Sequence, residues 1–217
     1  MPSVRRMHRS LRDQAMLQKP FAALTIRDRS SHTRRYPGSV LWQPLPGGIF
    51  PHRIDPVLRR RGAQCVGLCG ADKADDVKAV GPLAVIDRNC SDLGSALRDA
   101  IGKESVDVVA DVVGGSLWPQ LITALVRGGR YTCAGAIAGP MAEFDLRTFY
   151  LRDPTFTGAT VPLPGVFEDL VGYIERDEIR PLLAATYPLE NFHAAQQAFI
   201  DKRHVGNIVT EPFPPRP

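Results

Sequence analysis

Residues 106–134 read Val-Asp-Val-Val-Ala-Asp-Val-Val-Gly-Gly-Ser-Leu-Trp-Pro-Gln-Leu-Ile-Thr-Ala-Leu-Val-Arg-Gly-Gly-Arg-Tyr-Thr-Cys-Ala. Val106-Asp-Val-Val-Ala110 and Arg130-Tyr-Thr-Cys-Ala134 are short, largely apolar runs, and Ser116 is placed to cap a helix running to about Val126 between them. Strands separated by a whole helix cannot close as a hairpin, so the crossover makes them parallel. The same unit repeats toward the N-terminus. Cys65-Val-Gly-Leu68 is an apolar run, followed by a charged helix from Asp72 to Val80 that ends at Gly81. Leu83-Ala-Val-Ile86 is the next strand, and the helix Ser91 to Ile101 after it closes on Gly102. Continuous apolar strands alternating with helices predict an α/β fold, a Rossmann-like doubly wound parallel sheet covered on both faces.

Toward the C-terminus the pattern loosens. Thr155-Phe-Thr-Gly158 reads as a strand, and Gly165 to Arg176 as a helix with apolar Val166, Phe167, Leu170, Val171 and Ile174. Thr186-Tyr-Pro-Leu189 is extended, Asn191 caps the helix Phe192 to Ile200, and Asn207-Ile-Val-Thr210 closes as a last strand. Residues 212–217, rich in proline, form an extended tail.

Composition narrows the function classes. The 217 residues carry a net charge of +4 and four cysteines, with no apolar run near the roughly 18 residues a membrane-spanning helix needs. Cys65, Cys69, Cys90 and Cys133 are too sparse for a disulfide framework, and no second pair completes a structural zinc site with Cys65 and Cys69. A reduced, cytoplasmic protein is expected. The charge is unevenly placed: residues 1–60 sum to +9 and residues 61–217 to −5. The first stretch lacks sustained periodicity and is punctuated by prolines and Arg pairs; only Phe21-Ala-Ala-Leu-Thr-Ile26 and Ser39-Val-Leu-Trp42 are suited to short strands. A nucleic-acid arm and an organellar targeting peptide both fit its arginine content. Without interleaved aromatics or a recognisable motif, a poorly ordered basic extension is the preferred reading, and nucleic acid is not an expected partner.

Several motifs in one order give the body a family. Arg61-Gly-Ala-Gln-Cys-Val-Gly-Leu-Cys-Gly70 with Lys73, Ala84-Val-Ile-Asp-Arg88, Val106-Asp-Val-Val-Ala-Asp-Val-Val-Gly-Gly115, Arg127-Gly-Gly-Arg-Tyr-Thr-Cys-Ala-Gly135, Tyr187-Pro-Leu-Glu-Asn-Phe-His193 and His204-Val-Gly-Asn-Ile-Val209 follow one another. Together they resemble the cofactor-binding domain of the medium-chain dehydrogenase/reductase superfamily, in its zinc-type alcohol dehydrogenase and NADPH:quinone oxidoreductase branch. The resemblance spans about residues 58–211. It divides the chain into a basic segment 1–57 without family resemblance, a partial NAD(P)-binding domain 58–211 and the tail.

The resemblance implies an NADPH-dependent oxidoreductase acting on a quinone, enone or other carbonyl. A truncated, non-catalytic remnant with weak or no nucleotide binding is the alternative, and the more probable one for this polypeptide's own activity. Relatives carry a separate β-rich catalytic domain, and nothing in this chain matches it. Their cofactor domain also opens with a strand, a glycine-rich turn and a helix, whereas Pro44-Leu-Pro-Gly-Gly48 is not G-x-G-x-x-G. In the usual order 3-2-1-4-5-6 that first strand is central, and its loss orphans backbone groups at ~1–3 kcal/mol each. Imitation of the lost unit by Val40-Leu-Trp42, followed by Gly47-Gly48 and a short turn capped by Asp55, is one outcome open to the chain and not the favoured one. Direct pairing of the half-domains, or a chain that folds poorly, are the other outcomes. A damaged frame or misplaced start upstream of Leu58 would account for the charge break.

By the same resemblance, NADP is the expected cofactor. Leu68-Cys69-Gly70 ends the second strand of the domain without the acid that binds ribose hydroxyls, Lys73 stands where relatives contact the 2′-phosphate, and Arg88 adds a second positive charge. Val113, Gly114, Gly115 and Gly135, Ala136, Ile137 occupy the loops that contact ribose and nicotinamide in relatives; plain turn glycines are the alternative. Relatives often carry Gly-Lys where this chain has Gly206-Asn207. His193 and His204 have no metal-ligand spacing and read as surface or packing residues, so no zinc is expected and no catalytic residue is assigned. A homodimer through the edge around Thr155–Thr160 is expected of the branch.

Overall fold

The computed structural model describes residues 38–43, 58, 62–79, 81–160, 165–177, 183–201, 204 and 206–212. Phe21–Ile26, the Pro44–Gly48 turn, the turn at Asp55 and the 213–217 part of the tail lie outside them. Six parallel strands form the main sheet: β1 (Ser39–Trp42), β2 (Gln64–Cys69), β3 (Ala84–Asp87), β4 (Val106–Asp111), β5 (Leu125–Cys133) and β6 (Thr155–Gly158). Their order is β3-β2-β1-β4-β5-β6, the doubly wound Rossmann arrangement. Among the described residues the connecting helices are α1 (Ala74–Ala79), α2 (Leu93–Ile101), α3 (Trp118–Thr123) and α4 (Leu146–Arg152), with α5 (Val166–Glu175) after β6.

The central place is filled by Ser39-Val-Leu-Trp42. β1 pairs with β2 on one side, Val40 opposite Cys65, and with β4 on the other, Val40 opposite Val108. The surrogate strand is therefore the outcome realised, and the sheet reaches back into the basic first stretch of the chain. Side chains alternate across it: Val40 and Trp42 join Cys65, Cys69, Val77, Val108 and Ala110 on one face. Leu41 joins Val66, Leu68, Leu97, Val109 and Leu121 on the other. Ser39 at its start is tied down by Asp107, whose Oδ2 accepts from the Ser39 N–H at 2.7 Å and Oγ–H at 2.8 Å.

Four local expectations change. Ser116 does not cap α3: Gly114 and Gly115, both at positive φ, turn the chain into a 3-10 turn Gly115–Leu117, and Pro119 lies in the first turn of the helix. α3 also ends at Thr123 rather than Val126, because the Ala124 carbonyl accepts from Val106 N–H and Leu125 already pairs with Val106 before a register shift to Arg130. α4 has no counterpart in the expected elements; Asp145 caps it, accepting from Arg147 N–H at 2.9 Å. Finally, β7 (Leu183–Pro188) and β8 (Asn207–Glu211) do not extend the main sheet. They pair parallel with each other, with α6 (Phe192–Asp201) between them in sequence as the crossover that parallel pairing requires.

Candidate functional site

The carboxyl ends of β1 to β5 converge where the strand order reverses, between β1 and β4, which is where open α/β sheets bind ligands. Four described loops border this edge. The loop after β2 begins at buried Gly70 and continues into a 3-10 turn Ala71–Lys73. The loop after β3 carries Arg88, held by register: Cys69 lies opposite Asp87, and Arg88 N–H donates to the Cys69 carbonyl at 2.8 Å. A side chain built on Gly70 would come within 3.7 Å of Arg88 Nε and 2.6 Å of Asp72 Oδ1, so the glycine leaves room for two charged groups. Lys73 is half-buried in the same turn.

The loops after β4 and β5 form one unit. Ala138 N–H donates to the Val113 carbonyl at 2.8 Å and Gly115 N–H to the Gly139 carbonyl at 3.1 Å. A Cβ on Gly114 would stand 2.9 Å from Gly139 O and 3.1 Å from Ala136 Cα, and one on Gly115 2.9 Å from Ala138 Cβ. Close packing between the loops thus accounts for both glycines, beyond their left-handed φ of 63° and 79°. Gly135 is equally tight, its Cβ position 2.8 Å from Val112 O, whereas Ile137 is exposed.

Asp111, at the end of β4 and 1% exposed, organises this unit. Its Oδ1 accepts from Val113 N–H at 2.8 Å and Gly114 N–H at 2.9 Å, and its Oδ2 from the Tyr131 hydroxyl at 2.7 Å. Burial, then the bond to Asp111, pushes the Tyr131 hydroxyl well above the usual phenol range. Gln43, buried just past β1, donates its N–H to the Ala110 carbonyl at 3.2 Å, while its side-chain Nε2 has no partner among the described residues. Neither Asp111, Tyr131 nor Gln43 stands out in the sequence. Their common signal is position, at or beside the carboxyl end of a strand.

Other singled-out residues lie elsewhere. Cys65 and Cys69 share the face of Trp42 as buried thiols outside any disulfide, and burial, then Asp72 and Asp87, pushes Cys69 up to about 11. His193 is exposed on α6, and His204 Nδ1 lies 3.2 Å from the Ala198 carbonyl. Among the described residues no three His, Cys, Asp or Glu side chains gather as a metal site, and no helix is long and apolar enough to cross a membrane.

Residues 57–176, more than half of the chain, match the family of zinc-binding dehydrogenases. The chain belongs to the zinc-binding dehydrogenase family. Within that family it is 26% identical over 176 residues to the acryloyl-coenzyme A reductase of Sulfurisphaera tokodaii, a match covering 80% of this chain and 50% of the relative. A Sinorhizobium meliloti protein assigned as an alcohol dehydrogenase superposes with a TM-score of 0.76 at 38% identity, over 91% of this chain and 53% of that one. The crotonyl-CoA carboxylase/reductase AntE, solved in complex with NADP, has the same fold at 19% identity, with a TM-score of 0.74 over 88% of this chain and 55% of its own. This chain therefore spans about half the length of the zinc-binding dehydrogenases it matches. The described residues do not fit a zinc ion.

Proposed function

We propose that the carboxyl edge of this sheet binds NADPH, and that the chain is the cofactor half of an oxidoreductase acting on a quinone, enone or other carbonyl. The observation that carries this reading is Arg88, whose guanidinium stands against Gly70 at the end of the second strand and has no ion-pair partner among the described residues. A 2′-phosphate would take it as a partner, with Lys73 beside it. The fit has a second support in Gln43, a buried amide donor without a partner among the described residues at the switch point, where a dinucleotide crosses from one half-sheet to the other. Gly70 gives the backbone close approach, and Val113, Gly114, Gly115 with Gly135, Ala136 and Ile137 wall the nicotinamide end.

When bound, the nicotinamide supplies hydride to an electron-poor double bond. The residues described here bind and orient it; Asp111 acts one step back, holding the loop of Val113 and Gly114 through their N–H groups. No group of this chain is assigned to polarise the substrate. The name of the acryloyl-coenzyme A reductase relative, which reduces an enone-like thioester, is consistent with the enone member of the substrate class.

Titration with NADPH, followed by the fluorescence of Trp42 and Trp118 and by thermal shift, tests the reading. Saturable binding with a raised melting temperature is expected. Absence of binding at millimolar NADPH would leave the non-catalytic alternative. That alternative has an observation of its own: the Val113, Gly114 and Gly115 N–H groups are all engaged within the protein. We also infer a homodimer through the edge around Thr155–Thr160. Among the described residues β6 is bonded only to β5, and the neighbouring α4 exposes Leu146, Tyr150 and Leu151. Light scattering giving a monomer mass at micromolar concentration would exclude it.

A further inference from the structure

Asp111 takes donors from two sides of the site, and the one from outside its own loop is Tyr131. Two bonds come from Val113 and Gly114 N–H, and the third from the Tyr131 hydroxyl at 2.7 Å. Tyr131 lies opposite Val109, two residues short of Asp111 on the same face of the sheet, and its side chain spans that diagonal. The ring is fixed from behind, edge-on to Trp118 at 6.0 Å and to Phe156 at 5.5 Å. Trp118 directly follows the Gly115–Leu117 turn and packs at 5.1 Å against Phe144, which lies beyond Gly139 in the loop after β5. The two site loops therefore meet twice, by the backbone bond of Gly115 to Gly139 and by the ring contact of Trp118 with Phe144. Tyr131 joins these junctions, its ring on Trp118 and its hydroxyl on the carboxylate that holds Val113 and Gly114.

We propose that Tyr131 is a positioning residue for the nicotinamide end of the cofactor: acting through Asp111, it fixes where the backbone of Val113 and Gly114 stands, and it touches no ligand itself. This rests on the nucleotide-binding reading given above. Without the hydroxyl, the buried carboxylate keeps only the donors of its own loop, and its second oxygen loses its donor. Turning to recover one carries Val113 and Gly114 with it, and a small misplacement of such groups is enough to weaken a fitted ligand. Burial, then the bond to Asp111, holds the phenol well above its ordinary range, so at neutral pH the hydroxyl stays a donor. The 2′-phosphate end, at Gly70, Lys73 and Arg88, follows β2 and β3, across β1 from this network. The two ends of the cofactor are therefore separable.

Calorimetric binding of NADPH, and of adenosine 2′,5′-bisphosphate as a probe of the phosphate end alone, tests it on the whole chain and on Tyr131→Phe. Phe keeps the ring against Trp118 and Phe156 and removes only the hydroxyl. Tyr131→Phe is expected to weaken NADPH about five- to tenfold, the scale of one lost hydrogen bond, and the bisphosphate less than about twofold. Arg88→Gln is expected to weaken both ligands. Hydrogen exchange at the Val113 and Gly114 amides is expected to be about tenfold faster in Tyr131→Phe, with exchange in β2 unchanged. A merely structural role would lower the binding-competent fraction for both ligands alike. An equal loss for both, an unchanged NADPH affinity, or a Tyr131→Phe chain without a cooperative melt would each overturn the positioning role. With Arg88→Gln still weakening both ligands, the nucleotide site would stand. Failure of the unaltered chain to bind either ligand would overturn both readings.

Discussion

Asp111 holds three donors from within a buried strand end, two from the loop it begins and one from Tyr131 on the next strand. Replacing it by Ala orphans all three, and a loss of about 3 kcal/mol or more in unfolding free energy is expected by denaturant titration. Tyr131→Phe removes one donor and leaves Asp111 its other two, so a loss near 1–2 kcal/mol is expected, with a double variant less destabilised than the sum. Additive losses would show that the pair does not act as a unit. Gly114→Ala meets both a left-handed φ and a contact 2.9 Å from Gly139 O; a cost of about 1–3 kcal/mol is expected from the same titration. At this scale the sequence was legible only in part. Gly114 and Gly115 are visible as glycines after a strand, but the partner that makes them necessary is the loop of Ala136 to Gly139 after the next strand. Asp111 lies inside the motif that carries the family resemblance, yet burial and the bond to Tyr131 belong to the strand register, which spacing alone does not disclose.

The elements were legible where glycine and period spoke together, and not where pairing decided. α2 ends on Gly102 in the left-handed region as its sequence predicts, and its cap is Asp92, accepting from Gly94 and Ser95 N–H. β1 was readable as a strand, four apolar or small residues in a row, but not as the central strand, because the cue for that place is a glycine-rich turn and helix after it. What fixes it is Asp107, which opposes the start of β1 from β4. Burial raises the Asp107 carboxyl, but the hydrogen bonds from Ser39 N–H and Oγ–H outweigh it, and the carboxyl sits below its ordinary value of 3.8. A depressed carboxyl contributes stability that is fully present above the unfolded value and is lost as pH falls through the folded one. The chain should therefore lose part of its stability below about pH 4 through this tie. Ser39→Ala removes one of the two bonds, so a shallower acid dependence of the melting temperature is expected. An unchanged acid limb would mean that Ser39 does not hold Asp107 in solution.

At the scale of the molecule, the +9 and −5 segments meet inside one sheet, not between a domain and an appendage. Among the described residues β2 and β3 reach β4 only through β1, so the two core clusters on opposite faces both draw on a four-residue strand from the basic segment. Leu41 and Trp42 are each 0% exposed, one per face, and truncating a buried side chain of either kind costs about 2–5 kcal/mol. Removing the strand costs more than its side chains, because the facing edges of β2 and β4 lose their ladder partners in a site closed to water. Set against a total of about 5–15 kcal/mol for a domain, either loss is large. A chain cut to begin at residue 44 should therefore show no cooperative thermal transition by circular dichroism, and rapid amide exchange throughout β2 and β4. A chain cut to begin at residue 36, which keeps Gly38, Ser39 and the tie to Asp107, should melt as the full chain does. If the shorter chain melted cooperatively at the same temperature, β2 and β4 would have to pair without β1, and its central place in the sheet would be refuted.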